Sequence, residues 1–160
     1  MDRAPGGERF RFLYRQSEGL LDRAEWRSAS WPPAAIALAL SLVWWIVAPR
    51  EARDLAREAL FDWRIAATYA YLLIYVFALF LCAIAEYFVC AKRFADRGRS
   101  EALAGLAPFA LFLALAANWY QPRSEGTMPY WLIFAFDALA LAALVWTIAE
   151  LGFGESRAEK

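Results

Sequence analysis

Four stretches of this 160-residue chain carry almost no charge, and each is long enough to cross a lipid bilayer. They run over about residues 32–48, 65–91, 102–121 and 128–149. A helix spanning the hydrocarbon needs about 20 largely apolar residues, with about 17–25 tolerated. The first and third stretches hold no Asp, Glu, Lys or Arg; the second holds only Glu86 and the fourth only Asp137. Gly105 and Pro108 sit in the third, where a membrane helix tolerates them better than a water-exposed one does. Tryptophan and tyrosine gather near the ends, at Trp31, Trp63, Tyr69, Trp119, Tyr120, Tyr130 and Trp131, as interfacial belts do. A soluble helical bundle would need a polar face on each helix, and none of the four stretches has one. The hydrophobic share of 61% also exceeds the roughly 45–50% usual for soluble domains.

The expected fold is therefore all-α: a polytopic membrane protein with four transmembrane helices and an amphipathic interfacial segment between the first two. In that segment Ala52, Leu55, Ala56, Ala59, Leu60 and Trp63 recur at helical spacing, opposite Arg53, Asp54, Arg57 and Glu58. It either lies flat on the membrane surface or extends the second span. Residues 1–31 form a cytoplasmic arm with a short interfacial helix, 32–150 the membrane domain and 151–160 a cytoplasmic tail. The arm has no apolar run, so a cleavable leader is not expected and the first span serves as an uncleaved anchor.

Charge sets the orientation. With both termini inside, twelve of the seventeen Lys and Arg residues lie in the cytoplasm: six in the arm, four between Lys92 and Glu101 and two in the tail. The positive-inside rule favours this N-in, C-in arrangement in an inner membrane. In the arm, the run from Arg9 to Arg15 mixes basic and apolar side chains, which suits anionic headgroups better than nucleic acid. Asp22-Arg23-Ala24-Glu25 has the form of an acidic capping box opening a helix, and Pro32 and Pro33 are expected to kink or break it at the membrane boundary.

Chemistry is constrained by what is missing. There is no histidine, the commonest general base and metal ligand. No phosphate-binding glycine loop, Ser-His-Asp set or recognisable carboxylate pair occurs. Cys82, Glu86 and Cys90 share one helical face but spread over about 12 Å of axis, too far to clasp one ion. No metal or cofactor is expected. Glu86 is expected to pair with Arg93, Lys92 or an arginine of the arm. Asp137 lies at a depth similar to Ser41, Tyr71 and Tyr75, the expected hydrogen-bond donors; it is either an interhelical clamp or a proton- or cation-binding group. Ala138 and Ala142 form a small-xxx-small interval that favours close packing or self-association.

The connection after the second span reads Lys92-Arg93-Phe94-Ala95-Asp96-Arg97-Gly98-Arg99-Ser100-Glu101. Gly98 suits a left-handed helix C-cap, Ser100 an N-cap, and Asp96 a partner for Arg93 or Arg23. Arg93, Arg97 and Arg99, with Arg23, are the candidate contacts to anionic lipid or to an anionic ligand. The loop is either a structural turn fastened to headgroups or a ligand site.

This loop resembles the motif Arg-Leu-His-Asp-x-Gly-Arg-Ser-Gly-Trp of the bacterial membrane-protein family catalogued as domain of unknown function 805. Arg93, Asp96, Gly98, Arg99 and Ser100 fall on it, while Ala95 replaces the usual His or Asn and Glu101-Ala102 replaces Gly-Trp. A second segment, from Gly19 to Trp26, is similar to the family's N-terminal Gly-Arg-x-Ser-Arg-x-x-Tyr-Trp signature through Gly19, Arg23 and a terminal aromatic, with Leu20 in place of an arginine. The resemblance implies a four-span inner-membrane protein of unestablished activity, and Ala95 excludes any role resting on the family's histidine.

The leading expectation is an accessory or scaffold protein that contacts membrane lipids and binds another membrane protein or a second copy of itself, with no nucleic-acid partner. The alternatives are an oligomeric transporter or channel using Asp137, and an enzyme acting on lipid headgroups with Glu86, Asp96 and the loop arginines around one pocket.

Overall fold

Asp22 opens the first long helix by accepting a 2.7 Å hydrogen bond from the backbone N–H of Glu25, which satisfies one of the amides that a helix start leaves without a partner. The computed structural model describes residues 6–48, 62–124 and 127–154. Within them are α1 (Gly6–Arg15), α2 (Arg23–Val47), α3 (Trp63–Asp96), α4 (Leu106–Tyr120) and α5 (Tyr130–Phe153). Short 3-10 turns at Glu101–Gly105 and Gln121–Arg123 flank α4. Four helical segments are long and apolar enough to span a membrane: α2, α3, α4 with its flanking turns, and α5. The chain is an all-α polytopic membrane protein. Of the amphipathic segment expected between the first two spans, only residues 62 and 63 are described; Asp62 caps α3 by accepting from the Arg64 N–H at 2.8 Å.

Pro32 and Pro33 lie inside α2, and the helix runs through them without a break. A proline at position 33 has no N–H to offer the carbonyl of Ala29, four residues back. The Tyr14 hydroxyl donates to that carbonyl at 2.8 Å, replacing the missing helix bond from a different element. The arm helix and the first span are thus one continuous helix.

The 34 residues of α3 extend about 50 Å at 1.5 Å per residue, against a hydrocarbon thickness of about 30 Å. The excess carries Lys92, Arg93 and Asp96 beyond the apolar layer. The helix then stops in a Schellman turn: the Gly98 N–H donates to Ala95 O and the Arg99 N–H to Phe94 O, each at 2.9 Å, with Gly98 at φ +69°. Ser100 holds the N-cap position of the next turn, but its side chain makes no capping bond.

Packing divides the helices into two hairpins, α2 with α3 and α4 with α5, which touch each other only sparsely. In the first, Trp44, Tyr71 and Tyr75 stack, with ring centroids 5.7 Å apart for Trp44 and Tyr75. In the second, Ala110 and Ala114 meet Ala140, so the backbones approach closely. Ala138 and Ala142 lie on the exposed side of α5 instead. The main core sits at the end bearing the termini. There Leu21, Trp26, Val89, Phe94, Ala104 and Leu151 draw together α2, α3, the turn before α4 and α5, with α1 packed against them. Phe94 also stacks on Trp146 at 5.8 Å.

Candidate functional site

Among the described residues, the end where α1 meets the C-terminal turns of α3 and α5 concentrates the basic chemistry. A helix leaves its last carbonyls without partners and carries the negative end of its dipole there, so cations are favoured at helix C-termini. Two adjacent residues of α3 serve two such ends. Lys92, fully buried, donates its three ammonium protons to Leu13 O at 3.1 Å, Phe88 O at 3.2 Å and Gln16 O, closing the C-terminus of α1. Its charge also lies 5.2 Å from the Phe12 ring. Arg93, equally buried, turns to α5: Nε donates to Leu151 O at 3.2 Å and Nη2 to Gly154 O at 2.8 Å, while Nη1 pairs with Asp96.

Two further arginines join at the same place. Arg97 Nη1 donates to Glu150 O at 2.6 Å and pairs with the Glu150 carboxylate, which Arg99 approaches at 3.6 Å. Arg23 reaches Gly154 O at 3.5 Å, a marginal contact. A Cβ on Gly154 would lie 1.9 Å from the Arg97 guanidinium carbon, so the glycine leaves room for this side chain to cross the helix end. Gly19, at φ +114°, does the same for the Phe12 ring while turning the chain into α2.

The four arginines expected at anionic lipid or ligand therefore have different surroundings. Arg93 is wholly enclosed and Arg97 largely so, both bound to carbonyls and carboxylates of this chain, whereas the Arg99 side chain is 62% exposed. Of the two partners expected for Asp96, the structure selects Arg93.

Among the described residues Glu86 pairs with neither Arg93 nor Lys92 nor an arginine of the arm. Its neighbour is the Cys90 thiol, 3.9 Å from Oε2, and its other oxygen has no hydrogen-bond partner. The Trp26 indole N–H and the Ser30 hydroxyl are also buried and make no bond of good geometry, yet Ser30 stands beside the Glu86 carboxyl and Trp26 beside the Cys90 thiol. The reason lies in register: Lys92 and Arg93 point to helix ends, and the arm reaches α3 through Phe12, Leu13 and Tyr14 rather than through its arginines. Nearby burial, and secondarily the Glu86 carboxylate, push the Tyr14 phenol above its ordinary pKa near 10. Ten residues separate Glu86 from Asp96, about 15 Å along the helix, so they do not face one pocket. Among the described residues no group of three potential ligands converges as a metal site.

Asp137 has a different partner from those expected. Ser41 and Tyr75 bond each other at 3.1 Å and Tyr71 donates to Leu40 O at 2.7 Å, all within the first hairpin. Asp137 faces α4, where Asn118 Nδ2 donates to Oδ1 at 2.8 Å and to Ala114 O at 3.0 Å. Both Asn118 and Asp137 are exposed. They form the polar corner of an open groove of about 270 Å³ between α4 and α5, rimmed by Leu111, Leu115, Leu141 and Leu144 with Ala114 and Ala140 beneath. The third span holds two amides, Asn118 and Gln121, and nothing in the sequence marks Asn118 as the partner of Asp137.

Comparison with protein-family models, curated proteins and solved structures finds no match to this chain. The architecture and these sites define a membrane-embedded α-helical protein in which the densest polar network holds helix ends together.

Proposed function

We propose that this chain is a small accessory or scaffold protein of the bacterial inner membrane, both termini in the cytoplasm, that binds lipids or another membrane protein. Its resemblance to the family catalogued as domain of unknown function 805, through Arg93, Asp96, Gly98, Arg99 and Ser100, agrees with that reading. The observation that carries it is the division of labour in the fold. The hairpins are fastened at one end by buried arginines, and along the spans they leave apolar faces such as those of Leu73, Phe77, Phe134 and Leu141 open. With the main core at one end and a smaller alanine contact between α4 and α5, the helices are held in place while their membrane faces stay available for association. The test is native mass spectrometry of the full chain released from its membrane in mild detergent. A stoichiometric lipid or membrane-protein partner is expected; a bare monomer whose lipids all exchange freely sinks the reading.

The exposed Asp137–Asn118 pair favours a second reading, an oligomeric transporter or channel with Asp137 in its path. That reading requires a homo-oligomer and a pH-dependent ion flux into liposomes that Asp137→Asn abolishes. Liposomes that stay tight with the wild-type protein would rule it out.

A further inference from the structure

The hydrogen-bonding capacity left over in the α4–α5 groove is all of one kind. Both amide protons of Asn118 are committed, to Ala114 O and Asp137 Oδ1. What remains is Asn118 Oδ1 and Asp137 Oδ2, two acceptors to which no described residue donates, one of them on a carboxylate. Asp137 stands seven residues beyond Tyr130, about 10 Å into the span. A charge left against lipid at mid-membrane costs about 2.5–3.5 kcal/mol on insertion scales. A helix that covers the groove and keeps Asp137 as a carboxylate must supply donors and positive charge.

We propose that the groove seats a transmembrane helix of another protein, carrying a basic side chain at the depth of Asp137. This names the partner class for the accessory role above and rests on that reading. A second copy of this chain does not meet the requirement. Among the described residues its helices present no Lys or Arg at that depth: Lys92 and Arg93 sit at the opposite end, buried on helix termini, Arg64 stands in the first turn of α3 with its charge 6.0 Å from the Trp63 ring, and Arg123 lies beyond α4 over the Trp119 ring at 4.2 Å. A two-fold contact through this face would instead set Asp137 against its own like charge. The shape agrees with a helix. Ala114 and Ala140 lie low beneath leucine rims, so a neighbouring backbone approaches closely and its basic side chain reaches the Asn118–Asp137 corner.

The test uses the full-length protein in phosphatidylcholine vesicles with synthetic Leu/Ala transmembrane peptides bearing a central Lys, Leu or Glu, association being read by energy transfer between dyes. The Lys peptide is expected to bind about tenfold more tightly than the Leu peptide, and the Glu peptide no better than Leu. Asp137→Asn, which keeps a hydrogen-bonding side chain beside Asn118, should bring the Lys peptide down to the Leu level. Leu141→Trp, on the exposed rim, crowds the groove and leaves the Ala140 contact with α4 and Asp137 in place, and should do the same. Equal binding of the Lys and Leu peptides, or Lys binding unchanged by both substitutions, overturns the proposal. So does energy transfer between two copies of the protein that Leu141→Trp removes, because the groove then belongs to a second copy. A native partner that stays bound to Asp137→Asn overturns the groove assignment alone and leaves the accessory role standing. Unchanged thermal unfolding of each variant, followed by tryptophan fluorescence, confirms that the fold is intact.

Discussion

Lys92 and Arg93 are adjacent cations with no exposed surface, whereas Asp137 is a single carboxylate lying exposed on its helix. The first two are served by carbonyl oxygens of Leu13, Gln16, Phe88, Leu151 and Gly154, and Asp137 by one amide. The difference teaches where an α-helical membrane protein can enclose charge. Mid-helix carbonyls already serve their own ladder and take at most a shared second donor, as Phe88 O does from Lys92, but the final turn of every helix leaves several unspent. Buried cations therefore belong at helix ends, where α1 and α5 supply acceptors. A carboxylate in mid-span finds only side-chain donors, as Asp137 finds Asn118.

The contrast is broken most severely by Arg93→Ala. It strands Asp96 and two α5 carbonyls together, and unfolding in detergent is expected to lose about 3 kcal/mol, with Arg93→Lys recovering part of it. An Arg93→Ala protein as stable as wild type would show that the arginine cluster does not hold the hairpins together. Lys92→Met comes next. Removing a buried charge offsets part of the loss, leaving about 1–2 kcal/mol, and the effect should concentrate on α1 as faster amide exchange over Gly6–Arg15.

Tyr14→Phe leaves the Ala29 carbonyl without the donor that Pro33 cannot provide, for about 1 kcal/mol. Adding Pro33→Ala restores the helix amide, so the double variant should recover that loss; a simple sum of the two effects would refute the exchange of partners. The Tyr14 contribution also has a pH signature. Its phenol is harder to ionise in the fold than in the unfolded chain, so its share of stability is full below about pH 10 and falls as pH rises through the elevated folded value. Asp137→Asn is the smallest perturbation, within about 0.5 kcal/mol in detergent, because the side chain is exposed and keeps a hydrogen-bonding group opposite Asn118. A loss of several kcal/mol there would mean that Asp137 is structural in the same sense as Arg93.

Local features were legible before any tertiary structure. The charge-free stretches, the Asp22 cap and the left-handed Gly98 follow from hydropathy and from the backbone geometry of a few neighbouring residues. Pro33 was misleading for the same reason. Read locally it breaks a helix, yet a tyrosine nineteen positions earlier in the chain supplies the missing bond. Asp137 was recognisable as a charge needing a neighbour, but depth alone pointed to Ser41, Tyr71 and Tyr75; the pairing of α4 with α5 chose Asn118.

What the sequence determined by itself is the class of protein: four apolar helices, because hydrocarbon leaves a chain of this composition no other way to satisfy its backbone. Tertiary structure alone decided what the charged residues do. The arginines after the second span carry the chemistry of an anion-binding loop in any sequence. In this fold Arg93 and Arg97 are turned inward onto the end of a helix whose last carbonyls lie more than fifty residues further along the chain.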